Sequence, residues 1–135
     1  MKIKGMDGHF ESNSILVNLS VSSPLFKSIK KTLPVIIDTG CTSDLILTYA
    51  EAFPLALTLV GLQEFTIADG SRVNFFECLG KVTLGSRTVL CSISIRPSGS
   101  PLMGVSLLKK IGCKLEIDFT KEEAKIVFLP FDKVN

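Results

Sequence analysis

The chain has 135 residues, 46% of them hydrophobic, with a formal net charge of +2, which fits one globular domain over residues 1–135 with a core of its own. Its basic residues are scattered, adjacent only at Lys30-Lys31 and Lys109-Lys110, which excludes a phosphate track, and no Walker or dinucleotide loop is present. No apolar run approaches the ~20 residues of a membrane span, so neither nucleic acid nor membrane is expected as a partner.

The four cysteines, Cys41, Cys78, Cys91 and Cys113, stand singly without CxxC spacing, and His9 is the only histidine. That pattern lacks the clustering of a metal site, and neither metal nor cofactor is expected. No basic segment followed by an apolar leader is visible, and free thiols suit a reducing, cytoplasmic setting. Asn18-Leu19-Ser20 matches a glycosylation sequon but reads as strand sequence.

In chain order, residues 1–10 mix charge with glycine and start a first strand or an edge. Ile15, Val17, Leu19 and Val21 alternate with polar residues, the period of a half-buried strand. Ser22-Ser23-Pro24 breaks it, residues 25–32 form a polar connection, and Leu33 to Ile37 is a strand. Leu45 to Leu47 is a second buried strand. Residues 48–53 suit one helical turn stopped by Pro54, and residues 55–60 suit either a strand or a loop packed on the core.

A hairpin follows. Residues 64–68 lead to Asp69-Gly70, a dipeptide suited to tight turns, and residues 71–77 return. Gly80 to Leu84 and Thr88 to Ile95 form another pair around Gly85-Ser86. Residues 96–101 are a loop rich in breakers. Val105 to Ile111 has the period of a short helix with Leu107, Leu108 and Ile111 inward, stopped by Gly112, its two lysines complementing the dipole. A last hairpin pairs residues 114–119 with 125–129. The expected class is all-β with one short helix near the C-terminus.

The stretch with chemistry is Asp38-Thr39-Gly40, set between the apolar runs Val35-Ile36-Ile37 and Leu45-Ile46-Leu47. Glycine there permits φ > 0 and close approach of another backbone. A carboxylate beside a buried strand needs a partner to share charge or a proton. By itself the tripeptide also suits an ordinary Asp-initiated turn.

Taken together, the strand into Asp38-Thr39-Gly40, the hairpin ending at Ala68-Asp69-Gly70, and Leu102-Met103-Gly104 followed by Leu107-Leu108 resemble the retropepsin-like aspartic proteases. The resemblance is to their single-domain microbial members and spans residues 15–129. It implies a closed β barrel active as a two-fold homodimer, each copy bringing one catalytic Asp38. Thr39 would lock the two loops across the axis, and Gly40 would give substrate backbone room. Ala68, Asp69 and Gly70 would be the flap tip over an extended peptide. Leu45, Ile46, Ile67, Val73 and Met103 are expected as apolar subsite walls, favouring hydrophobic side chains in the substrate.

Other readings stay open. Cys41 is a core thiol or, oxidised, a block on the cleft; a Cys41–His9 protease pairing is a further alternative. Asp44 is expected in a turn or at the surface, and Asp69, Glu77, Glu116 and Asp118 at turns or facing solvent. A dimeric barrel that binds peptides without cleaving them, or a dimerisation module in which Asp38 only stabilises the interface, are the competing functions.

Overall fold

The computed structural model describes residues 4–130. Among them run strands β1 (Gly5–Glu11), β2 (Ser14–Ser22), β3 (Lys30–Ile37) and β4 (Leu45–Thr48), then helix α1 (Tyr49–Ala52) and a 3-10 turn at Phe53–Leu55. Strands β5 (Thr58–Thr66), β6 (Arg72–Leu84), β7 (Arg87–Arg96) and β8 (Leu102–Met103) follow, then helix α2 (Val105–Ile111), β9 (Cys113–Asp118) and β10 (Glu123–Phe128). Residues 1–3 of the expected first segment lie outside the described residues.

The strands pair in the order β5-β6-β7-β4-β8-β3-β2-β1-β10-β9, and β2 pairs a second time with β6. That second pairing, through Ser20–Thr83, Val21–Val82 and Ser22–Lys81, curls the sheet into a partial ring from β6 round to β2. The expected closed barrel with one helix is therefore corrected to a mixed sheet with a partial ring and two short helices. It is mixed because β3 runs parallel to β8 and β4 parallel to β7.

Alternation in β2 holds from Val17 on, with Val17, Leu19 and Val21 buried and Asn18 exposed, while Ile15 is half-buried and Leu16 buried. They pack inside the ring with Val35, Leu47, Ile93, Leu107 and Ile111. The carbonyls at the end of α2 are met by Arg87, which donates to Ile111 O at 2.7 Å, to Gly112 O at 2.9 Å and to Leu129 O. Gly112 closes α2 at φ 74°, in the left-handed region that glycine enters freely.

Two local expectations are corrected. The separate strands expected over 71–77 and 80–84 are one thirteen-residue strand, β6. Gly80 is tolerated inside it because a Cβ there would stand 2.7 Å from Ile93 Cδ1, so the space is already filled. The helical turn expected before Pro54 is α1, which ends at Ala52, and Pro54 enters the 3-10 turn that follows, where a missing N–H costs nothing. Of residues 55–60, Leu55 is buried, whereas Leu59 and Val60 are 60% and 52% exposed on β5, at one edge of the sheet.

Candidate active site

Asp38 leaves β3 where the strand ends, and its backbone N–H donates to Met103 O at 2.9 Å. The chain then turns back on itself: Cys41 N–H donates to Asp38 O at 3.0 Å, and Gly40 N–H to Asp38 Oδ1 at 2.9 Å. This Asx turn explains the tripeptide locally, since a short acidic side chain can satisfy the amide two residues on. Asp38 is half-buried, and Thr39 and Gly40 are exposed at the crest.

Gly40 is not among the residues with positive φ, which corrects the expected reason for glycine. What selects it is space: a Cβ there would stand 3.2 Å from Asp38 Oδ1. The glycine that holds the loop down is Gly104, whose Cβ would meet Ser43 O at 2.1 Å and Cys41 O at 2.8 Å. Its N–H donates to Asp44 O at 2.9 Å, and Val105 N–H to Cys41 O at 2.8 Å. The loop over residues 38–44 is thus stitched along its length to the segment 103–105.

Asp44 is not at the surface as expected but only 5% exposed. Its Oδ2 accepts Lys110 Nζ at 2.6 Å and Ser92 N–H at 2.9 Å. Burial by itself pushes the carboxyl up, but the hydrogen bonds from Lys110, the Ser106 hydroxyl and the Ser92 amide, with the lysine's charge, outweigh it and hold it below its usual value. Beside it, burial and then the Asp44 charge push the Cys91 thiol up to about 12. Burial also raises Cys78 and Cys113, so these three sulfurs stay protonated thiols at neutral pH.

The hairpin expected as a flap is formed, with a looser tip than a two-residue turn. Thr66 pairs with Arg72, leaving residues 67–71 between them. Ile67 N–H donates to Ser71 O and Gly70 N–H to Ile67 O, each at 2.9 Å. Asp69 Oδ1 accepts the Ser71 hydroxyl at 2.6 Å and its N–H at 2.8 Å; those bonds hold the carboxyl below its usual value. Gly70 takes φ 87°. Ala68, Asp69 and Gly70 are all exposed.

The expected subsite walls divide. Ile67 is 43% exposed and Val73 half-buried on the hairpin. Ile46 is 8% exposed and lies on the opposite side of β4 from the core residues Leu45 and Leu47. Leu45 and Met103 are corrected: both are 0% exposed, because they lie on the core side of their paired strands and pack in the core cluster with Leu47 and Ile93. An open apolar hollow of about 350 Å³ at the foot of the hairpin, lined by Ala52, Phe53, Leu59, Phe76, Cys78 and Ile95, gave no signal in the sequence beyond its exposed rings.

His9 lies in β1, its Nε2 3.4 Å from Glu11 Oε2, so the Cys41–His9 pairing is not formed. Glu77 accepts the Ser92 hydroxyl and is half-buried rather than solvent-facing. Among the described residues no cluster of three or more His, Cys, Asp or Glu side chains could hold a metal ion. One copy therefore presents a single loop carboxylate with one oxygen fixed by an amide.

As a sequence, the chain matches no protein-family model and no curated protein. As a structure it is similar to the EIAV protease complexed with the inhibitor HBY-793, at TM-score 0.63 and 17% identity over 78% of this chain and 95% of that one. It is also similar to a retropepsin-like aspartic protease from Rickettsia conorii, at TM-score 0.63 and 17% identity over 94% of this chain and 93% of that one. The fold is retropepsin-like.

Proposed function

We propose that the chain is an aspartic endopeptidase that works as a two-fold homodimer, with Asp38 of each copy forming one catalytic pair. The observation that carries this reading is the seat of Asp38: half-buried at the end of β3, on a loop stitched to the residues 103–105, within a retropepsin-like fold.

The chemistry follows from charge. Two carboxylates brought within a few ångströms cannot both ionise cheaply, so the pair keeps one proton; aspartic proteases are the standard instance of this effect. The ionised member takes a proton from a bound water as it attacks the peptide carbonyl, and the protonated member donates to the carbonyl oxygen. The two titrations belong to the pair and not to either Asp38, and a shared proton places the activity optimum at mildly acidic pH.

Thr39, at the exposed crest of the loop, is available to bond across the axis. The flap residues Ala68, Asp69 and Gly70 would cover an extended substrate held through its backbone. Ile46, Ile67 and Val73 are the apolar candidates to contact its side chains, which favours hydrophobic residues around the cut.

Purified protein incubated with a peptide library, with and without a pepstatin-type inhibitor, tests the reading together with Asp38→Asn. Inhibitor-sensitive cleavage lost in Asp38→Asn is expected. Full cleavage by Asp38→Asn would end the proposal, and inhibitor binding without products would favour a peptide-binding module.

A further inference from the structure

The loop that carries Asp38 is fixed at its far end by a charge that the chemistry above does not use. Asp44 is 5% exposed, far below what an isolated carboxylate tolerates. It reaches across to two separate elements, the Ser92 amide on β7 at 2.9 Å and the Lys110 ammonium on α2 at 2.6 Å. Its own carbonyl accepts Gly104 N–H at 2.9 Å. Buried ion pairs are poor stabilisers compared with well-packed apolar residues, and their best-attested use is to fix one arrangement against others. Here the arrangement fixed is the register of residues 38–44 against α2 and β8. The Lys110 side chain remains 45% exposed, so the cation is the replaceable half of the pair.

We propose that Asp44, through its ion pair with Lys110, is a positioning residue that sets where the Asp38 loop lies and so how the carboxylates of two copies meet. The role rests on the aspartic protease reading. Asp38 N–H is anchored to Met103 O, one end of the loop, and the Asp44–Lys110 pair anchors the other. Between these anchors Cys41 O accepts Val105 N–H at the start of α2 while Thr39 and Gly40 are exposed, so a shift of the loop against α2 at Asp44 also moves the Cys41 contact and the crest beyond it. A displacement of about an ångström in a reacting group can lower a rate by about a hundredfold.

The test uses the full chain carrying Asp44→Asn, Lys110→Met, Lys110→Arg or, as control, Lys109→Met at the exposed neighbouring lysine. Peptide cleavage is measured per active site titrated with a pepstatin-type inhibitor, and amide hydrogen exchange is followed at Gly104 and Val105. Asp44→Asn and Lys110→Met should lower kcat about tenfold or more with KM within about twofold, Lys110→Arg should restore most of it, and Lys109→Met should change neither. Exchange at Gly104 and Val105 should rise about tenfold without a matching rise in the β2–β3 ladder. An unchanged kcat per titrated site would overturn the role, as would faster exchange spread evenly over the sheet. If the native chain cleaves no peptide, the protease reading has failed and the exchange arm alone decides the tether. Should Lys110→Met not fold, Asp44→Asn, nearly isosteric and able to keep the Ser92 bond, decides in the same way.

Discussion

Gly40 and Gly104 sit on the two segments that meet at the loop, and a methyl group would act differently at each. At Gly104 the added carbon would stand 2.1 Å from Ser43 O and 2.8 Å from Cys41 O, a carbonyl that accepts Val105 N–H. Gly104→Ala should therefore destabilise the protein by about 2 kcal/mol or more, read as a lowered urea midpoint. At Gly40 the obstacle is the Asp38 side chain at 3.2 Å, which can yield. Gly40→Ala should leave the melting temperature nearly unchanged while lowering cleavage about tenfold, because what moves is the reacting carboxylate.

Asp44 makes a pH prediction at the same scale. Its folded-state value lies below the ordinary 3.8, so its contribution is complete above that value and is lost as the pH falls through the lower, folded one. The stability gap between the native chain and Asp44→Asn, read from urea midpoints, should be full at pH 6 and shrink below about pH 4. Lys110→Met should cost about 2 kcal/mol, less than a fully buried pair because Lys110 reaches solvent. Neither effect was legible in the sequence. Asp44 stands among Thr42, Ser43 and an apolar strand, as a turn residue would, and its partner lies 66 positions away.

Among elements, those with a strong local period were legible. Helix α2 announces itself through Leu107, Leu108 and Ile111 and stops at Gly112, which takes the φ its position requires. The β5–β6 hairpin was legible from the polar Asp69-Gly70 between apolar arms, though not the length of its turn, since the Asp69–Ser71 bonds that widen it depend on local folding. β8 was not legible as a strand. Two residues carry no period, and Leu102-Met103 are strand only because β3 and β4 flank them. Leu45 and Met103 lie on the core side of these paired strands, which is why both were misplaced as subsite walls.

Arg87 belongs to this scale, since it joins the C-terminus of α2 to the end of the described chain and stacks 5.3 Å over the Phe128 ring. Arg87→Ala should lower stability by about 2 kcal/mol, a charged donor's bonds to carbonyls being worth more than neutral ones. Differential scanning calorimetry would read it as a lower melting temperature. β5, exposed along Leu59 to Glu64 at the sheet's edge, should exchange its amides faster than β2 and β3, which lie inside the ring.

At the scale of the whole molecule, the order of strands was beyond reach of the sequence. The β2–β6 pairing joins residues some sixty positions apart, and both parallel pairs are long-range. The resemblance implied a closed barrel without a strand order, and the similarity in structure to the EIAV and Rickettsia conorii proteases gives a retropepsin-like fold. The functional account then turns on symmetry. On the proposed reading each copy would contribute Asp38, and a second copy would supply the other carboxylate.

Mixing native chains with Asp38→Asn chains at fixed total concentration, after unfolding and refolding together, tests that directly. If the pair is shared between copies, only native–native dimers cleave, and an equal mixture should retain about one quarter of the native rate, the square of the native fraction. A rate of about one half, linear in the native fraction, would show that each chain acts alone and would contradict the account.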